Sequence, residues 1–254
     1  MQWQEALIIA LVVIGSYLFG NINVATIITK LKRKNIRDIG SGNPGTMNML
    51  RNFGIPLGLL TLILDILKGA VPCILGWWLV GGIGFDTAEL NRFDGIFLVG
   101  GNRLGLYVAA LSVIIGHVFP IALKFKGGKG IASAVGVCFV AQPFITLIML
   151  VVGIVFILLI KVGSLGSFII ISAPLGVEGF FVSQALSDGS IGTAAGVVSL
   201  CLIFLLFSLT LFTHRKNIYQ LFFGTESKTI LFGKNKSVKK ARQAEVLNSG
   251  QKNG

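Results

Sequence analysis

The chain has 254 residues, of which 54% are apolar and only 13% are charged. A mean hydropathy of +0.84 excludes a soluble globular domain of ordinary composition. The net charge of +12 does not indicate nucleic acid, because excess Lys and Arg in a membrane protein usually mark cytoplasmic loops. We therefore expect an integral membrane protein in contact with lipids and without a nucleic-acid partner.

The apolar runs predict an all-α, polytopic membrane protein with seven transmembrane helices, some of them short. About 20 apolar residues suffice for a helix to cross the hydrocarbon core. The first run begins near Glu5 without a basic segment before it, so we expect a retained helix and not a signal peptide. The predicted spans cover 4–28, 56–82, 104–123, 130–144, 145–160, 164–184 and 194–213.

The charges of the connecting segments predict which side of the membrane each one faces. Residues 30–51 carry six basic residues against one acidic residue, and residues 124–129 carry three lysines. By the positive-inside bias both segments, and the basic segment from His214 onward, should be cytoplasmic. The connections over 83–103 and around Asp188 have no such excess and should face outward.

This sidedness decides how many spans lie between 130 and 213. Two cytoplasmic segments must be separated by an even number of crossings, so we expect four spans and not three. The additional turn is predicted at Gln142–Pro143, because proline breaks helices. The N-terminus is then outside and the C-terminus cytoplasmic. We expect a single transmembrane domain over 1–226 and a basic cytoplasmic tail over 227–254.

The first polar motif, "GSGNPGTMNMLR" at 40–51, combines glycines with hydrogen-bonding side chains. Its glycines permit a tight backbone path, and Arg51 is a bidentate donor for anions. A simple turn before the second span explains this loop equally well. The candidate ligand-binding residues here are Ser41, Gly42, Asn43, Thr46, Asn48 and Arg51.

The second motif, "KFKGGKG" at 124–130, directly precedes an apolar run. Glycine amides and lysines at a helix N-terminus are suited to bind phosphate. The motif is not a Walker A sequence, because Lys129 is followed by Gly130 and not by Ser or Thr. A basic loop alone is explained by topology, but a second glycine-rich basic loop on the same face favours an anion site. Its candidates are Lys126, Gly127, Gly128, Lys129 and Gly130.

The third motif, "HRKNIYQLFFGTE" at 214–226, follows the last span. An interfacial basic anchor explains its cations but leaves Asn217 and Glu226 without a role. His214, Arg215, Asn217 and Glu226 are therefore candidates for the same site.

Four further candidate residues, Lys68, His117, Ser164 and Ser167, lie in or beside the spans. Lys68 is one helical turn after Asp65 and can pair with it. Ser164 and Ser167 add hydroxyl groups near Lys161, although helix capping also explains them. His117 precedes Pro120, where a structural role is at least as good an explanation as a chemical one. The isolated histidines and cysteines show no metal-ligand spacing, so no metal is expected.

Three of these motifs resemble those of the integral-membrane, acyl-phosphate-dependent glycerol-3-phosphate acyltransferases of bacteria, the PlsY family. The motifs are "SGNPGTMNMLR" at 41–51, "GHVFPIALKFKGGKGIAS" at 116–133 and "HRKNIYQLFFGTE" at 214–226. The segments "DILKG" at 65–69 and "SLGS" at 164–167 also fit. The resemblance extends from the first helix to about Glu226. The chain departs from the family pattern at Thr46-Met47, Gly166 and Gln220.

The resemblance implies transfer of a fatty acyl group from acyl phosphate to the 1-hydroxyl of glycerol 3-phosphate, in phospholipid biosynthesis. The products would be lysophosphatidic acid and phosphate, and no cofactor or metal would be needed. The expected location is the bacterial cytoplasmic membrane, with the active site on the cytoplasmic face. An enzyme that supplies acyl phosphate is a candidate partner.

Site roles follow from these motifs. We expect catalytic roles for Ser41, Lys129, His214 and Asn217. Substrate binding is expected of Gly42, Asn43, Thr46, Asn48, Arg51, Lys68, His117, Lys126, Gly127, Gly128, Gly130, Ser164, Ser167, Arg215 and Glu226.

Acyl phosphate is already activated, so the chemistry needs two anion sites and an oriented hydroxyl more than a strong nucleophile. One phosphate is expected on the 127–130 loop and the other near Arg51, His214 and Asn217. The proton of the attacking hydroxyl passes to a phosphate oxygen of the donor, or alternatively to His214 or His117. A transporter of a small phosphorylated solute is the main alternative function, and a noncatalytic membrane scaffold is a weaker one.

Overall fold

A computed structural model describes residues 3–81 and 103–226. In these ranges the chain is helical and has no β-strand. The α-helices are α1 (Trp3–Gly20), α2 (Val24–Leu31), α3 (Thr46–Phe53), α4 (Ile55–Gly81), α5 (Leu104–Val118), α6 (Ile131–Ala141), α7 (Pro143–Ile160), α8 (Gly163–Ser187), α9 (Thr193–Thr213) and α10 (Arg215–Phe222), with 3₁₀ helices at Ile36–Asp38 and Ile121–Leu123. The predicted outward connection over 83–103, apart from Arg103, lies outside the described residues. The predicted basic tail over 227–254 lies outside them too.

Six of the described segments are long and apolar enough to cross a membrane. They are Trp3–Leu31, Ile55–Val80, Leu104–Leu123, Pro143–Ile160, Gly163–Ser187 and Thr193–Thr213. The eleven-residue α6 is a shorter apolar helix. The prediction of an all-α membrane protein with some short spans is therefore confirmed, and the sidedness of its termini stays a prediction.

The first span is interrupted, whereas the sequence predicts one continuous helix over 4–28. Helix α1 ends at Gly20, and α2 begins after Asn23, whose side chain accepts a hydrogen bond from the Thr26 amide at 2.8 Å. Asparagine at this position caps a helix N-terminus and so favours a new start. Gly20 also packs directly on α5, because a Cβ built there would overlap the Val113 carbonyl oxygen.

The predicted turn inside the long apolar run is confirmed. Gln142 ends α6 and Pro143 opens α7, where proline is tolerated because the first helical amide has no partner in the helix. The Gln142 side chain donates to Glu178 of α8, and Glu178 also accepts from Arg103 and Tyr107. A charge at membrane depth is costly unless paired, so this cluster joins the turn to α5 and α8.

Close glycine contacts bring α4 and α6 together beside the polar end of the bundle. A Cβ built at Gly69 would overlap the Ser133 carbonyl, and one at Gly136 would overlap the Ile66 carbonyl. Small residues of this kind let membrane helices approach closely. The approach places the start of α6, and with it the loop at 124–130, next to Lys68.

Candidate active site

The three polar motifs meet at one end of the bundle. Arg37, before the first motif, donates to the carbonyl oxygen of Lys126 in the second. The second motif contacts the end of α9 and the third motif: Thr213, the residue before the third motif, donates to the Lys129 carbonyl at 3.2 Å, and Lys129 Nζ donates to Asn217 Oδ1. Segments far apart in the chain are therefore joined into one polar surface.

A continuous line of hydrogen bonds runs through this surface. Beyond Lys129, the Asn217 amide donates to Glu226 Oε1 at 3.2 Å. Ser164, at the start of α8, donates to Glu226 Oε2 at 2.6 Å. We call Lys129, Asn217, Glu226 and Ser164 the polar line. It ties the loop before α6, helix α10 and helix α8 to one another.

Two cations and one anion dominate the electrostatics of this region. Burial lowers the pKa of Lys129; the Glu226 carboxylate opposes that shift, and the Arg51 guanidinium adds to it. Burial likewise lowers the pKa of Arg51, and Glu226 opposes that shift too. Arg51, Lys129 and Glu226 therefore share one electrostatic environment, in which positive charge exceeds negative charge and an anionic ligand is favoured.

His214 lies beside the polar line at the junction of α9 and α10. Its side chain is buried, with Nδ1 3.0 Å from the Thr210 carbonyl oxygen and its ring centroid 5.2 Å from that of Phe168. Burial, followed by the charge of Lys129, lowers the pKa of His214 to about 4. The ring is thus neutral near pH 7. Because a carbonyl can only accept, Nδ1 carries the proton and Nε2 has the free lone pair.

The first motif forms a loop that is held by its own side chains. Asn48 donates to the Ile39 carbonyl at 2.9 Å, and its Oδ1 accepts from the Ser41 amide at 3.2 Å and from Asn52 at 2.9 Å. Ser41 Oγ in turn accepts from the Asn43 amide at 3.4 Å. Asn48 therefore shapes this loop from within.

The end of this motif is helical, whereas the sequence predicts a loop throughout. Helix α3 begins at Thr46, after Gly45, and carries Arg51 in its last turn. Gly42 adopts φ +67°, a conformation that favours glycine. Thr46 Oγ1 is buried and makes no hydrogen bond within the described residues.

The second motif contributes a lysine side chain to the polar line, whereas the amides of its first two glycines are hydrogen-bonded within the protein. The amides of Gly127 and Gly128 donate to the carbonyls of Val118 and His117, at 3.0 and 3.2 Å. Gly130 adopts φ +82° as it precedes α6. Lys126 is exposed, while Lys129 is half-buried and reaches Asn217. The backbone bonds set the path of the loop, and Lys129 carries its charge into the polar line.

Besides Ser41 and Asn48 of the first loop, four further predicted site residues make their described side-chain contacts away from the polar line. Lys68 and His117 are buried and contact each other at 2.8 Å. Arg215 is exposed, donates to the Phe212 carbonyl at 3.0 Å and lies over the Phe212 ring. Ser167 donates to the Gly163 carbonyl of its own helix at 2.9 Å.

Arg37 is a site neighbour that the sequence does not single out. Besides the Lys126 carbonyl, its guanidinium contacts the carbonyl oxygens of Gly127 and Gly42, at 3.5 and 3.3 Å. It therefore bridges the two glycine-rich loops. In the sequence, Arg37 is one of six basic residues that indicate only a cytoplasmic loop.

The fold and the polar surface together define an integral membrane protein with a polar cluster at one end of a helical bundle, in which the two cations Lys129 and Arg51 outnumber the one carboxylate, Glu226. The family described as glycerol-3-phosphate acyltransferase matches residues 10–224. The chain belongs to this family.

Individual relatives agree with this assignment. A glycerol-3-phosphate acyltransferase of Thermoanaerobacter pseudethanolicus is 38% identical over 219 residues, which cover 86% of this chain and 94% of the relative. That of Pelagibacter ubique is 35% identical over 231 residues, covering 90% of this chain and 100% of the relative.

Two crystal structures have a similar fold. Both are of PlsY (YgiH), an integral membrane glycerol 3-phosphate acyltransferase. Its glycerol 3-phosphate form has a TM-score of 0.64 and 30% identity, and its lysophosphatidic acid form has a TM-score of 0.62 and 29% identity. Each comparison covers 89% of this chain and 96% of the other.

Proposed function

We propose that this chain transfers a fatty acyl group from acyl phosphate to the 1-hydroxyl of glycerol 3-phosphate, which yields lysophosphatidic acid and inorganic phosphate. The proposal is supported by the family and by two PlsY structures, one in the glycerol 3-phosphate form and one in the lysophosphatidic acid form. The observation that carries it is the polar line, in which Lys129 donates to Asn217 and shares the electrostatic environment of Arg51 and a neutral His214.

The charges of the site suit two phosphate-bearing substrates. Lys129 of the 127–130 loop holds the phosphate of the acyl donor, and Arg51 and Asn217 hold the phosphate of the acceptor. Ser41 and Thr46 add hydroxyl groups from the first motif. Fixed donors of this kind stabilise the negative charge that develops on the departing phosphate.

The reaction itself needs one proton transfer. The 1-hydroxyl oxygen bonds to the acyl carbonyl carbon, the bond from that carbon to the phosphate oxygen breaks, and the hydroxyl proton passes to a phosphate oxygen of the donor. His214 Nε2 has a lone pair and accepts a hydrogen bond from the 2-hydroxyl of the acceptor, which orients the glycerol backbone and leaves the one proton of the attacking 1-hydroxyl for the phosphate oxygen. The acyl chain extends between the helices into the bilayer, where its methylene groups stay out of water.

The same proposal assigns the protein to the bacterial cytoplasmic membrane, with this site on the cytoplasmic face. The basic residues at 30–51 and 124–129 support that orientation through the positive-inside bias. Residues 1–226 form the transmembrane domain, and the tail at 227–254 is dispensable for the chemistry. An enzyme that produces acyl phosphate is the proposed partner.

The decisive experiment follows phosphate release from palmitoyl phosphate by the purified full chain, with and without glycerol 3-phosphate. Lysophosphatidic acid should form in equal amount and only when the acceptor is present. Replacement of Lys129 by Met should abolish turnover, whereas replacement of the exposed Lys216 by Ala should leave it unchanged.

A second assay with palmitoyl coenzyme A in place of palmitoyl phosphate tests the donor. Product from the coenzyme A ester alone would overturn the proposed donor and leave the acyltransferase assignment intact. Product from neither donor, with a folded protein, would favour transport of a phosphorylated solute.

A further inference from the structure

A second polar cluster lies inside the bundle, directly behind the 127–130 loop. It consists of Asp65 and Lys68 of α4, His117 of α5 and Ser133 of α6. The side chains are almost fully enclosed, with relative exposures of 1%, 3%, 3% and 0%. The charged members of such a cluster are costly at membrane depth and usually have a function.

The contacts of Lys68 determine where His117 carries its proton. Lys68 Nζ lies 2.8 Å from each of three atoms: Asp65 Oδ1, the Ile22 carbonyl oxygen and His117 Nδ1. An ammonium group has three protons and no lone pair, so each contact uses one donor. With Lys68 as the charged partner of Asp65 in the ion pair, His117 Nδ1 accepts. Its neutral ring then holds the proton on Nε2.

Ser133 Oγ lies 3.4 Å from the same nitrogen, but the single Nδ1 lone pair is already engaged by Lys68 at 2.8 Å, so this second contact is weak and does not set the tautomer. The Asp65 carboxylate balances the ammonium charge in an ion pair of 2.8 Å. A second proton on Nδ1 would face the Lys68 ammonium directly. The doubly protonated ring is thereby excluded.

His117 contacts the loop with both its ring and its backbone. The Gly128 amide donates to the His117 carbonyl at 3.2 Å. A Cβ built at Gly128 would overlap His117 Nε2, so the loop lies directly against this edge of the ring. Gly128 immediately precedes Lys129, which reaches Asn217.

We propose that Asp65 and Lys68 lock His117 in the tautomer with its proton on Nε2, and that this fixed ring positions the 127–130 loop so that Lys129 reaches Asn217. His117 and Lys68 are then positioning residues that do not touch substrate. The kinetic consequences rest on the proposed function, but the protonation pattern does not.

The first test is nitrogen-15 NMR of the full chain with labelled histidine, in detergent at neutral pH. The chain has only two histidines, and two-bond nitrogen–proton correlations identify the tautomer of each. We expect His117 to be protonated on Nε2 and His214 on Nδ1, and His214→Asn assigns the two signals. A proton on Nδ1 of His117, or a doubly protonated ring, would overturn the proposal whatever the enzyme's substrates are.

The second test removes the lock without leaving a buried unpaired charge. The double replacement Asp65→Leu with Lys68→Met replaces both charges with apolar groups. We expect His117 to populate both tautomers and kcat/KM to fall on the order of 100-fold, because a small displacement of a binding group has an effect of that size.

His117→Asn is the complementary variant. Its amide oxygen still accepts from Lys68, so the thermal unfolding midpoint should change little, while the contact with Gly128 is lost and KM for palmitoyl phosphate rises at least roughly tenfold. An unchanged tautomer and unchanged kcat/KM in the double variant, or an unchanged KM in His117→Asn, would overturn the positioning role.

Discussion

Asn217 Oδ1 accepts a hydrogen bond from Nζ of Lys129, 88 residues earlier in the chain. The amide of Asn217 then donates to Glu226. A lysine charge from one motif is thus connected to a carboxylate at the end of another. Glu226 is therefore both a hydrogen-bond acceptor and the charge that opposes the lowering of the Lys129 pKa.

Replacement of Glu226 by Gln should shift the alkaline limb of kcat/KM to lower pH. Glu226 raises the pKa of Lys129, so without this charge the lowering by burial and by Arg51 is unopposed. The measurement is kcat/KM between pH 6 and pH 10 for both proteins. Ser164→Ala is the matched control, because it removes a donor to Glu226 and keeps its charge. Coinciding alkaline limbs for wild type and E226Q would contradict this electrostatic role.

His214 should make folding stability sensitive to acid. Its pKa is lowered to about 4 from an ordinary value of 6.5. As the pH falls below 6.5, the unfolded chain takes up a proton that the folded chain does not bind until about pH 4. The stability that depends on a neutral His214 is therefore lost as the pH falls from 6.5 to about 4, and it is fully present above pH 6.5.

The thermal unfolding midpoint between pH 7 and pH 4 checks this expectation. His214→Asn is the comparison, because its amide still donates to the Thr210 carbonyl and does not titrate. The wild-type midpoint should fall more steeply than that of the variant. Parallel curves would show that other groups cause the acid sensitivity.

Replacement of Thr46 by Val should weaken substrate binding without weakening the fold. Thr46 Oγ1 is buried and has no hydrogen-bond partner within the described residues, so losing the hydroxyl costs the folded protein nothing. If it binds substrate phosphate, KM for glycerol 3-phosphate rises roughly tenfold, in line with a hydrogen bond to a charged group. Thr46→Ser keeps the hydroxyl and should keep KM. An unchanged KM in the Val variant would remove Thr46 from the site.

The helices of the bundle are largely predictable, because apolar run length and the break at Pro143 are local properties. Helix α10 is harder to predict from the sequence. Helix α10 is short and polar, and its sequence also fits an irregular basic segment. The position of Asn217 on a helix therefore follows only from the structure.

The composition of the site is predictable as a set of motifs, but not the orientation of each side chain. Lys126 and Lys129 lie three residues apart in the same loop and both are candidates from the sequence, but only the structure shows that Lys129 reaches Asn217 while Lys126 is exposed. Glu178 shows the same limit. Its partners Arg103 and Gln142 lie just before α5 and between α6 and α7, far from Glu178 in the sequence, and no local pattern indicates them.

Arg37 provides the last prediction, because it joins the two glycine-rich loops through carbonyl oxygens of Gly42, Lys126 and Gly127. Replacement by Ala should leave the fold intact, since the side chain is exposed, but should lower kcat/KM roughly tenfold by loosening the loop that carries Lys129. Arg37→Lys should not restore activity, because a single ammonium cannot bridge both loops as a planar guanidinium does. Lys34→Ala, which removes another exposed cation of the same segment, is the control for net charge. Equal losses in R37A and K34A would mean that the charge of the loop, and not the bridge, supports activity.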